Sequence, residues 1–250
     1  MQPCIQLVGV SKHFWITKHR AQTVSGFLID LARFWRRPER VQFTALRDLS
    51  LAVYPGQTVG VIGPNGSGKS TLLRLIAGIY RPSTGTVMTW GTIAALMELG
   101  AGFHAELSGR ENIYLNGALL GRRRAEMGRQ LDEIVAFAGI EEFLDTPLKH
   151  YSSGMQMRLG FSIAMAVGAE IMLLDEVFAV GDVAFQAKCR ARLNELQAEG
   201  RTLIIVSHGM EWIDLLCNRA IWLDRGVLRA DGPPADVIAA YAQHMEALQA

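Results

Sequence analysis

Cysteine is scarce in this chain. Cys4, Cys189 and Cys217 are the three in 250 residues, and no pair has the C-x-x-C spacing of a zinc site or redox couple. A disulfide framework is thereby disfavoured, and free thiols in a reducing compartment fit better. A dominant charge sign is also missing. Twenty-five Lys and Arg stand against 24 Asp and Glu, so no global field draws the chain to a polyanion, which argues against nucleic-acid binding as its main task. Long uncharged apolar runs are missing too. The most apolar stretch, Phe161 to Val180, is broken by Glu170, Asp175 and Glu176, charges too costly for the middle of a bilayer helix, and reads as a helix followed by a buried strand. The opening Met1-Gln-Pro-Cys-Ile-Gln6 lacks a charged head and apolar run, so no signal peptide is expected. Neither an internal repeat nor a low-complexity tract is visible. What remains is a half-hydrophobic chain of 250 residues, enough for one large core or a core with a subdomain.

The densest information lies at residues 57–71, where an apolar strand, Thr58-Val-Gly-Val-Ile62, runs into Gly63-Pro64-Asn65-Gly66-Ser67-Gly68-Lys69-Ser70-Thr71. This matches the P-loop pattern G-x-x-x-x-G-K-[ST]. Gly63, Gly66 and Gly68 permit backbone conformations and close approach that a Cβ would obstruct, so successive N–H groups can wrap phosphate oxygens. Lys69 adds a point charge toward the β- and γ-phosphates, and Ser70 offers a hydroxyl to Mg²⁺. Leu72, Leu73, Leu75 and Ile76 then supply the apolar face of the following helix.

Before this motif, Cys4–Val10 and Leu49–Tyr54 read as strands. Between them, residues 15–42 form a basic and aromatic insertion. Lys18, Arg20, Arg33, Arg36, Arg37 and Arg40 outweigh Asp30 and Glu39, and Phe27, Leu28, Leu31, Phe34 and Trp35 recur at helical spacing. A helix over about 25–37, stopped by Pro38, is expected. Each large apolar side chain left bare forgoes about 1.5–3 kcal/mol of burial, so this face requires the protein's own core, a membrane surface or a partner.

After the P-loop helix, Thr84–Trp90 and Thr92–Met97 read as strands. Ser108-Gly-Arg-Glu111 is a capping box that starts a helix through Leu120, and Arg124–Ala138 is a second amphipathic helix. Residues from about 101 to 165 therefore read as a helical insertion between two α/β halves. Tyr151-Ser152-Ser153-Gly154-Met155 precedes an apolar helix, Met157–Val167, and such a turn is an anion site or an ordinary N-cap. Ile171–Leu174 reads as a central parallel strand delivering Asp175 and Glu176, and Leu203–Val206 delivers Ser207 and His208 in the same way. Two strands, Ala220–Leu223 and Val227–Ala230, and a helix over about 234–248 close the chain.

P-loop, Ser-Ser-Gly helix start, strand with Asp-Glu and strand with His stand in a fixed order. In this the chain resembles the nucleotide-binding subunit of ATP-binding-cassette (ABC) transporters over nearly all its length. It is further similar to the branch that exports O-antigen, capsular polysaccharide or teichoic acid, through Glu98-Leu-Gly-Ala-Gly-Phe103, Ser108-Gly-Arg-Glu-Asn112-Ile-Tyr114, Tyr151-Ser-Ser-Gly-Met155 and Val177-Phe-Ala-Val-Gly-Asp182. The resemblance implies an α/β fold: a RecA-like P-loop NTPase core with an N-terminal antiparallel β subdomain and an inserted helical subdomain. It also implies ATP and Mg²⁺, with Asp175 holding the ion alongside Ser70, Glu176 as general base on the attacking water, and His208 as sensor of the γ-phosphate. Asp182 would lie in the loop coupling two active sites. Ser152, Ser153 and Gly154 would bind the ATP of a second copy in a head-to-tail homodimer.

The chain departs from the wider ABC pattern in three places. Tyr151–Met155 replaces Leu-Ser-Gly-Gly-Gln. Glu98 is the nearest stand-in for the glutamine usual before the helical insertion, and its carboxylate could still take a metal-bound water. Phe14 holds the adenine-stacking position, with Trp15 adjacent and equally able to stack. The branch further implies a separate integral membrane subunit, a lipid-linked polysaccharide handled through the complex, a peripheral position on the cytoplasmic face of the inner (plasma) membrane, and no nucleic-acid partner. A carbohydrate-binding β-sandwich, found at the C-terminus of some relatives, is not expected within 250 residues. The competing reading is a soluble ABC ATPase acting on nucleic acid or ribosomes. Such proteins usually carry paired cassettes, long coiled coils or zinc inserts, none of which is visible. A GTPase would need a guanine-reading Asn-Lys-x-Asp stretch, also absent.

On this reading the insertion faces membrane or partner. Replacing Arg33, Arg36 and Arg37 with Glu should leave ATP binding intact and abolish membrane recruitment or export. Unchanged export in a complementation assay would reject the assignment.

Overall fold

The computed structural model describes residues 2–17, 40–97, 100, 102–175, 182–207 and 209–247. The first strand, β1 (Ile5–Thr17), pairs antiparallel with β2 (Arg40–Val53) in a ladder that runs from Ile5 opposite Val53 to Thr17 opposite Arg40. Both strands are longer than the sequence reading expected. In the outer ladder Phe14 pairs with Phe43, Trp15 with Gln42, Ile16 with Val41 and Thr17 with Arg40, and aromatic and β-branched residues favour a pleated surface. Register shifts between Leu7 and Val10, Val10 and Lys12, and Lys12 and His13 break the period-two alternation that would have announced the continuation. Residues 15–17 and 40–42, the two ends of the expected insertion, are therefore strand. The helix expected over about 25–37 lies outside the described residues.

β3 (Thr58–Ile62) is buried along its whole length, which is why it reads as an unbroken apolar run. The P-loop and α1 (Lys69–Ile76) follow. β4 (Thr84–Thr89) and β5 (Ile93–Leu96) are neighbours in sequence but join different sheets. β4 pairs antiparallel with β1, giving a three-stranded sheet in the order β2-β1-β4, while β5 forms the edge of a larger one.

Three helices come next. α2 (Gly109–Leu119) starts at the expected capping box: the Ser108 hydroxyl accepts from the Glu111 N–H at 3.3 Å, and the Glu111 carboxylate accepts from the Ser108 N–H at 2.8 Å. The Ser108 N–H, and after it the Ser108 hydroxyl donating at 2.8 Å, hold the Glu111 carboxyl below its ordinary pKa. α3 (Arg124–Ala138) and α4 (Ser153–Val167) complete a separate small core with α2 through Ile113, Met127, Leu131, Ile134, Leu159 and Ile163. The other face of α4 sends Phe161, Ala164 and Met165 into the main core. Burial on both faces explains a helix that is apolar all round. No helix among the described residues is long and apolar enough to cross a membrane.

The remaining elements are β6 (Ile171–Asp175), α5 (Val183–Ala198), β7 (Thr202–Val206), α6 (Met210–Leu216), β8 (Arg219–Asp224), β9 (Val227–Gly232) and α7 (Pro234–Ala247). The large sheet has the order β5-β6-β7-β3-β8-β9; its first five strands are parallel and β9 is antiparallel. Its central strands feed two cores. Met172, Leu174, Leu203 and Ile205 pack toward α4 and α5, whereas Ile171, Leu173, Ile204 and Val206 pack toward α1 and the three-stranded sheet. The α/β class and the N-terminal antiparallel sheet expected from the sequence are thus the observed ones.

All three cysteines are free thiols. Burial pushes Cys189 and Cys217 up to about 12, so little reactive thiolate exists near neutrality. The native chain at about pH 8 should resist iodoacetamide at both positions and be labelled only after denaturation. Native labelling at Cys189, read by peptide mass, would contradict the packing.

Candidate nucleotide-binding site

The sheet order decides what meets at its carboxyl edge. β6, β7 and β3 are adjacent and parallel, so Asp175, the end of β7 at Val206 and the loop after Ile62 emerge side by side. This is where open α/β sheets bind ligands. Asp175 closes β6 opposite Val206 and is partly exposed. Glu176 and His208, the expected base and phosphate sensor, lie outside the described residues, as does Glu98.

The loop itself is built for close backbone approach. Gly63 has φ 144°, and a Cβ there would stand 2.1 Å from the Leu223 carbonyl oxygen, so the start of the loop abuts the backbone of β8. Gly68 has φ 108° and would set a Cβ 2.6 Å from the Ala45 carbonyl. Only glycine fits either position without moving backbone. The Ser67 N–H donates to the Pro64 carbonyl at 3.2 Å, and α1 begins with no side-chain cap and no acidic residue in its first turn. Such a helix start leaves free N–H groups and the positive dipole end for an anion. Lys69 is buried, and its ammonium donates to the loop's own carbonyls, Gly63 at 2.8 Å and Pro64 at 3.1 Å. These bonds hold the cation inside the arc. Ser70 and Thr71 occupy the first turn of α1 and are partly exposed.

A shallow cavity of about 190 Å³ runs along Asn65 to Thr71 and is walled on one side by Phe43 and Ala45. Phe43 is an aromatic beside the loop that the sequence reading did not name. Its signal was faint, a single Phe just after the insertion, and only the hairpin ladder carries it to the loop. Phe14, directly opposite Phe43 in the ladder, is engaged elsewhere: its ring meets Tyr80 edge-on at 5.4 Å, with the Lys12 ammonium 5.1 Å from the ring centre. Trp15 is 66% exposed, on the opposite face of the hairpin to that pair.

The second expected anion site is a true helix start. α4 begins at Ser153, four residues earlier than the sequence suggested, because Ser152 serves as N-cap and its hydroxyl accepts from the Met155 N–H at 3.2 Å. The turn is anchored by Tyr151, whose hydroxyl donates to the Phe143 carbonyl at 2.7 Å and whose phenol is raised above its ordinary pKa by burial. Residues 151–155 do not line the cavity along Asn65–Thr71 or the one between Pro64–Ser67 and Trp222. Asp182 is the N-cap of α5, its carboxylate accepting from the Phe185 N–H at 2.8 Å. Among the described residues no cluster of three or more His, Cys, Asp or Glu forms a metal cage. Ser70 and Asp175 offer the sparse hard-oxygen set with which Mg²⁺ is held together with phosphates.

Comparison with known proteins points one way. Residues 46–179 match the ABC transporter family model. The O-antigen export system ATP-binding protein RfbB of Klebsiella pneumoniae is 40% identical over 245 residues, covering 98% of this chain and all of that protein. The ABC transporter protein AbcA of Aeromonas salmonicida is 44% identical over 98% of this chain and 78% of its own length. The teichoic acids export ATP-binding protein TagH of Levilactobacillus brevis is 38% identical over 96% of this chain and 64% of its own. Two solved structures share the fold at lower identity. An ATP-binding subunit of an ABC transporter has a TM-score of 0.74 at 22% identity, covering 96% of this chain and 93% of its own. A dimeric ATP-binding cassette in a post-hydrolysis state with ADP and Pi has a TM-score of 0.72 at 21%, covering 92% and 98%.

Proposed function

We propose that this chain, which belongs to the ABC transporter family and is one of its ATP-hydrolysing subunits, powers export of a lipid-linked polysaccharide of the O-antigen kind from the cytoplasmic face of the inner membrane. The observation that carries the reading is the convergence of the P-loop, Asp175 and the end of β7 at one sheet edge. Full-length similarity to an O-antigen export subunit supports the cargo class.

The residues divide the work by their chemistry. Backbone N–H groups from Gly63 to Thr71 enclose the phosphates, and Lys69, already turned into the arc, exchanges its carbonyl partners for phosphate oxygens. Phe43 stacks on the base from the hairpin side, with Phe14 behind it against Tyr80. Ser70 and Asp175 hold Mg²⁺, which when bound neutralises phosphate charge. Glu176, one residue beyond Asp175, takes a proton from the attacking water, and His208, just past Ser207, reaches the γ-phosphate. Glu98, in place of the usual glutamine, is a further candidate to take a water of that Mg²⁺.

The Ser152–Gly154 turn completes the site of a second copy rather than its own. Its hydroxyls and free N–H groups are those of a helix start away from the P-loop cavities, which suits a γ-phosphate approached from outside. Two chains head to tail then sandwich two ATP molecules, with Asp182 between them. Closing the sandwich draws on contacts that ATP makes only in the closed state. An integral membrane subunit, with no nucleic acid, completes the assembly.

Glu176→Gln with MgATP should trap a dimer by light scattering and lower hydrolysis by at least about a hundredfold; a monomer hydrolysing normally would reject the scheme. For the base, Phe43→Ala should weaken ATP binding by about tenfold and more than Phe14→Ala or Trp15→Ala does. The reverse order would return the stacking role to Phe14 or Trp15.

A further inference from the structure

The P-loop has a second neighbour that takes no part in the chemistry. β8 runs beside β3 with Trp222 opposite Ile62, the last residue before the loop. The next residue, Leu223, presents the carbonyl that Gly63 abuts, and at the β8–β9 turn the Gly226 N–H donates to the Ser67 carbonyl at 2.9 Å. The same Gly226 accepts from the Arg47 N–H at 2.8 Å, tying this turn to β2. The end of β8 is therefore the bed on which the loop lies.

Trp222 is in turn held by α7. Its ring meets Tyr241 edge-on at 5.6 Å and lies tilted against His244 at 5.0 Å. Between this cluster and the loop is a cavity of about 270 Å³, with Pro64 to Ser67 on one wall and Trp222, Tyr241 and His244 on the other. Trp222 is 7% and Ser67 1% exposed, and among the described residues neither Trp222 Nε1 nor Ser67 Oγ finds a hydrogen-bond partner. The loop is thus not wedged by close packing on this side. Its position depends on where β8 ends, and the end of β8 carries an indole that α7 grips across an open space. A large ring beside a cavity moves when its support is removed, because the space lets it settle.

We propose that Trp222, gripped by Tyr241 and His244, is a positioning residue for the P-loop, so that the C-terminal helix sets how well the loop is prepared for nucleotide. The proposal rests on the reading of Gly63–Thr71 as the ATP site. Tyr241 and His244 face the loop from its β8 side and do not line the cavity along Asn65–Thr71, so the effect falls on affinity, with bond breaking untouched once ATP is seated.

The test uses the full chain and MgATP, with equilibrium binding and steady-state hydrolysis measured together. Tyr241→Ala and His244→Ala should each raise the Kd and the KM for ATP by about three- to tenfold, with kcat within about twofold of the parent. His244→Phe restores a ring against Trp222 and should recover the parent Kd. Val237→Ala serves as control: Val237 is a buried residue of the same helix, 3% exposed, so truncation should lower Tm but leave Kd unchanged. Unchanged Kd in both alanine variants, or an equal shift in the Val237 variant, would overturn the positioning role. A parent chain that fails to bind MgATP would overturn the nucleotide reading with it.

Discussion

β3 lies inside the large sheet, hydrogen-bonded on both edges and buried along its length, and it must release the chain into a glycine-rich turn that lies close against neighbouring backbone. Everything at the site follows from that exit. A strand so enclosed cannot shift in register, so Gly63 always meets the Leu223 carbonyl and Gly68 always meets Ala45. The loop then has one path, and α1 starts where the path ends. The glycines matter here because backbone occupies the space their side chains would need.

The same constraint explains how parts from distant stretches of sequence become one site. Parallel strands carry every βα loop to one edge, so β6 and β7 on one side of β3 deliver Asp175 and the Ser207 segment to the loop. On the other side β8 delivers backbone support and, through Trp222, the influence of α7. The three helices around Ile113, Met127 and Leu159 have their own core, and they meet the main one through α4 and through Phe137 of α3, whose ring packs on Phe161 and Phe185.

Some of this was readable residue by residue. The P-loop was legible because its chemistry demands rare residues at fixed spacing, and the capping box at Ser108 because it is a local exchange of two hydrogen bonds. The central strands were legible because burial on both faces forces unbroken apolar runs. The outer ladder of β1 and β2 was not, since three register shifts scramble its alternation. Nor was the start of α4, because Ser153, Gly154 and Met155 form a poor helical pattern by themselves and become helical only with Ser152 capping them and Tyr151 holding the turn.

The sequence by itself determined the phosphate cradle, the strands that feed it and the order of the groups along the chain, because each of these is a local demand on residue type. It could not determine which aromatic lies beside the cradle, that β4 and β5 part into separate sheets, or that a C-terminal helix leans on the strand beneath the loop. Those depend on strand order and on which faces meet. Phe14 and Phe43 have equivalent side chains and opposite each other in one ladder, yet only Phe43 walls the cavity, while Phe14 is taken by Tyr80. That distinction exists only once the hairpin is laid against the loop and the helix that follows it.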